Sequence, residues 1–133
     1  MFAPFRWPVR VYFEDTDAGG VVYYSNYLKF YERARTEWLR SVGISQQSLR
    51  AEQKILFLVK NISVDYKYSA VLDDELIVTT KILQLKGASI FFEQTISREN
   101  RELSTCKVKI ACVGENSKRP LPIPDDILKK IQA

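Results

Sequence analysis

A single change of hydrophobic period restricts the fold of this chain more than any other feature. Across residues 27–42 the apolar positions recur every three or four residues: Tyr27, Phe30, Tyr31, Ala34, Trp38 and Val42. Lys29, Glu32, Arg33 and Arg40 face elsewhere, so the segment reads as one long amphipathic helix. Ser25 or Asn26 can cap its start, and Gly43 stands where a helix-ending glycine belongs. Downstream the period is 2. Ile62, Val64, Tyr66 and Tyr68 alternate with polar residues, residues 75–85 are rich in Ile, Val and Thr, and Lys86-Gly87 separates them from a further run at 89–97. Cys106, Val108, Ile110 and Cys112 alternate with Lys107, Lys109 and Ala111. Another alternating run, residues 9–14, precedes the helix. A short amphipathic turn is expected at 46–52 and a short helix at 125–131, after a proline-rich stretch at 120–124.

The order is strand, long helix, then about four strands at hairpin spacing. That is an α+β chain in which one helix must cover one face of an antiparallel sheet. A helix of about 17 residues spans about 25 Å, matching strands of seven or eight residues. The other face of the sheet, or one of its edges, is expected to need a partner subunit.

Residues 1–133 are expected to form one domain, because the chain has no linker or internal repeat and 46% hydrophobic residues suffice for an ordinary core. The net charge of +4 is dispersed among acidic residues, so no nucleic-acid surface is expected. The longest apolar stretch, residues 55–59, is far too short to span a membrane, and no apolar leader opens the chain. The expected location is therefore the cytoplasm, with Cys106 and Cys112 as buried free thiols. The chain contains no histidine. This excludes Ser-His-Asp and Cys-His nucleophile pairs and every His-ligated metal site; no metal or separate cofactor is expected. Acid–base work must fall to a carboxylate, Lys, Tyr, Cys or water.

One segment carries a pattern suited to chemistry, residues 12–27, which joins the first strand to the helix. Glu14, Asp15 and Asp17 place three carboxylates within four residues, and a carboxylate partly buried beside another suits base or nucleophile work. Gly19 and Gly20 allow a ligand to approach the backbone closely. The helix that follows offers free N–H groups and the positive end of its dipole, an oxyanion-binding element. The same Asp and Gly residues also describe ordinary turn and cap chemistry. A calcium loop does not fit, since Asn26 stands where its final Glu belongs.

The runs RVYFEDTDAGGVVY at 10–23 and YLKFYERARTE at 27–37 closely resemble the YbgC-like, tol-pal system-associated acyl-CoA thioesterases. These form part of the 4-hydroxybenzoyl-CoA thioesterase branch of the hotdog superfamily. The resemblance extends to RWPVR at 6–10, Leu72-Asp73-Asp74 and Lys86-Gly87-Ala88-Ser89. It implies a hotdog fold, a five-stranded antiparallel sheet wrapped around a long central helix. It also implies sheets paired across a homodimer, dimers that pair again into a homotetramer, and active sites at the dimer interface. The catalytic aspartate maps onto Asp17, as nucleophile or as general base for water, and the oxyanion donor onto the backbone N–H of Tyr24. Many relatives carry His at position 24 and Tyr at position 13, where this chain has Tyr24 and Phe13. Gly20, Val22, Tyr23 and Tyr27 are the expected substrate neighbours, joined by Ser89 near coenzyme A.

The implied reaction is hydrolysis of short-chain or aromatic acyl-CoA, with acyl carrier protein thioesters as a further substrate class. Coenzyme A enters as part of the substrate. The rival is a non-catalytic acyl-CoA or acyl-carrier-protein binding protein or scaffold at the inner membrane surface. Lys86, Arg98, Lys118 and Arg119 are candidate phosphate contacts, though each also reads as a surface charge. Glu32, Arg33, Arg35 and Glu37 can orient a site, though their spacing also describes a solvated helix face.

The missing imidazole carries its own test. No limb of a pH–rate profile near about pH 6.5 can belong to a histidine. With a carboxylate as the essential base, kcat/KM should rise at acidic pH and stay flat across neutrality. An acid limb required near neutrality would overturn the assignment.

Overall fold

The computed structural model describes residues 3–132. Five strands form a single antiparallel sheet: β1 (Phe5–Arg10), β2 (Ile55–Tyr66), β3 (Glu75–Lys86), β4 (Ser89–Arg98) and β5 (Arg101–Gly114), in the spatial order β1-β3-β4-β5-β2. Three helices accompany it: α1 (Asn26–Ser41), α2 (Gln46–Gln53) and α3 (Asp125–Gln132). This is the α+β architecture the periodicity requires.

The stripe expected on α1 is the buried one. Tyr27, Phe30, Tyr31, Ala34, Trp38 and Leu39 lie in the core with Leu76, Val78, Ile90, Phe92, Ile96 and Val108 from the central strands. The Trp38 and Phe92 rings meet edge to face, with centroids 5.3 Å apart. Gly43 ends the helix as expected. Its φ is +86°, its N–H donates to the Arg40 carbonyl and that of Ile44 to the Leu39 carbonyl, the double bond of a Schellman turn.

Two strand boundaries differ from the sequence expectation. The first strand starts earlier and stops at Arg10, so residues 11–14 do not extend it. Val11 is still buried, but Phe13 is 80% exposed. The reason is local: the Asp15 carboxylate accepts from the Tyr12 N–H at 2.8 Å and closes a 3-10 turn over Phe13–Asp15. Secondly, β2 begins at Ile55, well before the run at 62. A bulge between Val59 and Asn61 shifts its register. Residues 55–59 are apolar throughout and show no alternation; their inward-facing positions run 55, 57, 59, and the bulge moves the phase to 62 and 64.

Between helix and sheet lies a buried polar cluster. The Arg35 guanidinium donates to the Gln94 side-chain oxygen at 2.9 Å, and the Gln94 amide donates to the Tyr31 carbonyl at 3.0 Å and the Thr80 hydroxyl at 2.9 Å. Arg35 is only 8% exposed, which corrects its reading as part of a solvated face. The Tyr31 hydroxyl donates to Ser104 Oγ at 2.7 Å, and Ser104 to the Asp65 carbonyl.

Cys106 and Cys112 are free and buried, as expected. Burial pushes the Cys106 thiol up from 9.0 to about 12. The folded state therefore holds a proton that the unfolded chain releases above 9.0. The resulting stability is whole below that pH and is lost as pH rises towards 12. The expected result is a fall in denaturation midpoint through this window that Cys106→Ala shows to a lesser degree. Both thiols should resist alkylation in the native protein at mildly alkaline pH and react once it is unfolded.

Candidate active site

The segment between β1 and α1 folds on its own backbone. The Asp15 carbonyl accepts from the Asn26 side-chain amide at 2.9 Å and from the Tyr23 N–H at 3.1 Å, while its carboxylate holds Tyr12. Asp15 is therefore committed to shaping the loop. Glu14 is exposed and away from it, so the three carboxylates do not converge as a charged cluster. Within this chain Asp17 is exposed rather than buried beside a second carboxylate, which corrects that part of the expectation.

Asp17 stands at the start of a tight turn. Its N–H donates to the Val21 carbonyl at 2.9 Å, its carbonyl accepts from Gly20 at 3.1 Å, and its Oδ1 accepts from the Gly19 N–H at 2.8 Å. Two glycines are needed here for different reasons. A Cβ at Gly19 would lie 3.3 Å from Asp17 Oδ1, and Gly20 adopts φ +81°. The second oxygen of Asp17 accepts no hydrogen bond among the described residues, and the residue is exposed.

The start of α1 is uncapped. Ser25 makes no side-chain cap bond, and Asn26 turns its amide to Asp15 instead, so neither expected cap forms. Val22 N–H donates to the Ala70 carbonyl at 2.8 Å, Tyr23 N–H to Asp15, Asn26 N–H to Tyr23 and Tyr27 N–H to Tyr24. Among the described residues, the N–H groups of Tyr24 and Ser25 find no acceptor. Two adjacent donors at the positive end of a 16-residue helix are an anion site in chemical terms. Here they sit beside a small cleft of about 160 Å³ between Val22, Tyr24, Tyr27, Tyr66 and Tyr68.

The expected site residues sort as follows. Gly20, Tyr23 and Tyr24 are exposed around the turn and the helix start, the two tyrosine rings 4.7 Å apart. Val22 is buried and spends its N–H on Ala70. Tyr27 is 3% exposed and forms part of the framework: its phenol oxygen accepts from the Ala70 N–H at 2.9 Å. Burial raises its pKa, so the phenol stays neutral. Ser89 is not brought to this site. It opens β4 at the far end of the sheet, and ten residues of strand span about 30 Å. Lys86, Lys118 and Arg119 lie at that same far end. Arg98 is spoken for, donating to Asp74 at 2.6 Å and to the Ser69 carbonyl.

Three residues of the site were not singled out from sequence. Tyr66 and Tyr68 wall the cleft, and the Tyr66 hydroxyl donates to the Tyr24 carbonyl at 3.2 Å. Both were visible only as members of an alternating strand. Ala70 clamps the site, its carbonyl on Val22 and its N–H on Tyr27, and nothing in an alanine signals that duty.

Comparison with known proteins places this geometry in context. The model of the thioesterase-like superfamily matches residues 11–131. The chain is 50% identical over 123 residues to an acyl-CoA thioesterase YbgC of Haemophilus influenzae, covering 92% of this chain and 90% of that one. It is 46% identical to an acyl-CoA thioester hydrolase YbgC of Escherichia coli, covering 96% of each. A probable thioesterase from Bartonella henselae superposes with a TM-score of 0.88 at 35% identity, covering 92% of this chain and all of that one.

The Ala70 clamp can be tested directly. Tyr27→Phe removes the acceptor of a buried N–H and should cost about 1–2 kcal/mol in denaturant unfolding. Hydrogen exchange at Ala70 should accelerate more than at amides of β4. Unchanged exchange there would show that the phenol does not hold the loop.

Proposed function

Because the chain belongs to the thioesterase-like superfamily, and within it to the YbgC acyl-CoA thioesterases, we propose that it hydrolyses acyl-CoA thioesters at the start of α1. The observation that carries this reading is the pair of N–H groups at Tyr24 and Ser25 that find no acceptor among the described residues, seven and eight residues beyond an exposed Asp17 carboxylate. The thioester carbonyl oxygen rests on these donors. Water, deprotonated by Asp17, adds to the carbonyl carbon, and the negative charge that develops on oxygen meets N–H groups already aimed at it. The intermediate collapses by breaking the C–S bond, and the coenzyme A thiolate leaves and takes up a proton. The products are the free acid and coenzyme A; coenzyme A belongs to the substrate, and no further cofactor takes part.

A backbone donor also explains why Tyr can replace His at position 24. One oxyanion donor is worth about 3–4 kcal/mol in the transition state, and the peptide N–H supplies it whatever the side chain.

The working unit we propose is a symmetric dimer. Among the described residues β1 pairs only with β3, and β2 only with β5. The β1 edge is short and carries Pro8, which cannot donate. The β2 edge is twelve residues long and has no proline. Antiparallel pairing of two β2 edges sets the Tyr66 end of one copy beside the Ile55 end of the other. That arrangement would bring Ser89, Lys86, Lys118 and Arg119 of one copy towards Asp17 of the second. It would also cover Phe13, Tyr24 and Tyr66, three exposed aromatic side chains. A tetramer follows if such dimers pair again.

Acyl carrier protein thioesters share the pantetheine arm and fit the same reading. So does a cytoplasmic setting, where buried free thiols remain reduced. Among the described residues, no helix is long and apolar enough to cross a membrane.

The decisive experiment is turnover of a panel of aliphatic and aromatic acyl-CoAs by the wild type and Asp17→Asn. The variant should lose about 10²–10⁴-fold in kcat while acyl-CoA binding persists. A single turnover in heavy-oxygen water should leave the Asp17 carboxylate unlabelled; label in it would replace the water route by direct attack. Binding of acyl-CoA with no turnover in the wild type would instead establish the non-catalytic binder.

A further inference from the structure

A second cavity lies under the other half of α1. Its volume is about 280 Å³. Ligand sites commonly run from roughly 300 to 1,000 Å³, so it suits a small molecule. Its walls are mostly apolar, with Trp38 from α1 facing Phe57, Ile90, Phe92 and Ile110 from the inner face of the sheet. Arg35 also lines it. The start of α1 lies about 14 Å away along the helix, so this cavity is distinct from the cleft beside Tyr24.

Arg35 is the anomaly. It is 92% removed from solvent, yet among the described residues no carboxylate oxygen lies within 4.0 Å of its guanidinium. Its one side-chain partner is the neutral Gln94 amide, at 2.9 Å through Nη1. The nearby Cys106 thiol is held protonated, so it brings no negative charge. Desolvation lowers the pKa of Arg35, and the negative charge of Glu32 at the rim opposes this only in part. A buried cation without an anion is costly, and a bound anion relieves that cost. The nearest candidate within the chain, Glu32, is exposed at the cavity rim. Its carboxylate accepts from the Thr36 hydroxyl at 2.6 Å, and Thr36 in turn accepts from Gln46. Glu32 is thus held by neighbours on the rim and does not close on Arg35.

We propose that this cavity recognises a small amphipathic carboxylate, its apolar body packed on Trp38 and Phe92 and its charge paired with Arg35. The fork of the guanidinium has donors to spare, since Gln94 occupies only Nη1. Such a carboxylate has two sources: a free acid of the class that thioester hydrolysis releases, or the far end of a dicarboxylic acyl group held at the site of a second copy paired along β2, since a short acyl chain does not span about 14 Å within one copy. The second source rests on the thioesterase reading and on that pairing. Val59 of the β2 edge lines the cavity, so it opens beside the strand where a second copy would sit.

The test uses the full chain and begins without mutation. Calorimetry should show hexanoate and benzoate binding at least tenfold more tightly than hexanamide and benzamide, which have the same shape without charge. Glu32→Gln removes the one competing anion at the rim and should tighten hexanoate binding several-fold. Arg35→Met should abolish the preference for acid over amide, and Arg35→Lys should retain part of it. Equal affinity for acid and amide, or binding unmoved by Glu32→Gln, would overturn the proposal even if Arg35→Met fails to fold.

Turnover separates the sources. If the ligand is the acyl end, Glu32→Gln should lower KM for glutaryl-CoA and leave butyryl-CoA unchanged. If it is a free acid, hexanoate should alter butyryl-CoA turnover in the wild type, and glutaryl-CoA should gain nothing from Glu32→Gln. Because calorimetry needs no turnover, failure to hydrolyse butyryl-CoA would count against the thioesterase reading alone.

Discussion

The rotation of α1 on its sheet is the constraint from which the rest of this structure follows. Apolar contact alone would tolerate a slide or a small turn of the helix, because dispersion and area burial have little direction. Gln94 removes that freedom. Its amide reaches the Tyr31 carbonyl and the Thr80 hydroxyl, and its oxygen takes the Arg35 guanidinium, all between 2.9 and 3.0 Å. A slip of one residue would strand several of these buried groups, each at a cost of about 1–3 kcal/mol. With the helix locked, its start is fixed beside the cleft lined by Tyr24, Tyr66 and Tyr68.

The helix start forgoes the stability of a side-chain cap. A side-chain cap commonly adds about 1 kcal/mol, and both Ser25 and Asn26 are of capping type. Neither caps. Asn26 instead steadies the Asp15 carbonyl, and the loop is held from outside by Ala70 through Val22 and Tyr27. The N–H groups of Tyr24 and Ser25 are thereby left without an acceptor among the described residues, an arrangement that suits the oxyanion role proposed for them. The positive φ that Gly20 adopts freely and the close approach at Gly19 hold the Asp17 carboxylate in a tight turn.

Taken by itself, the chain leaves much open. Asp17 is exposed, the outer edge of β2 is unpaired among the described residues, and six large aromatic side chains are exposed: Tyr12, Phe13, Tyr23, Tyr24, Tyr66 and Tyr68. An edge strand and an adjacent aromatic surface normally find a partner. Pairing along β2 would exclude water from the cleft, where electrostatic stabilisation of an oxyanion is strongest.

Much of this was legible in the chain itself. The stripe on residues 27–42, the hairpin spacing of the later strands and the helix-ending Gly43 depend on local periodicity and backbone freedom, and these act whatever the chain packs against. The motif around Asp17 and the absence of histidine likewise set which groups could do acid–base work. Other features depended on contacts between residues far apart in sequence. The bulge after Val59 shifted the phase of the inward-facing positions of β2, and Asp15 pulled residues 11–14 out of the first strand. Ser89 proved to lie a whole strand length from Asp17, because antiparallel order sends the β3–β4 turn to the opposite end. Arg35, one charge among several on a helix, became a buried cation only through the sheet strands that cover it. Periodicity thus determined which segments are helix and strand, and the motif around Asp17 indicated which residues are candidates for chemistry. Which of those residues meet, and which charges lose their water, was decided by tertiary packing, because burial and through-space pairing arise only once distant segments close on one another.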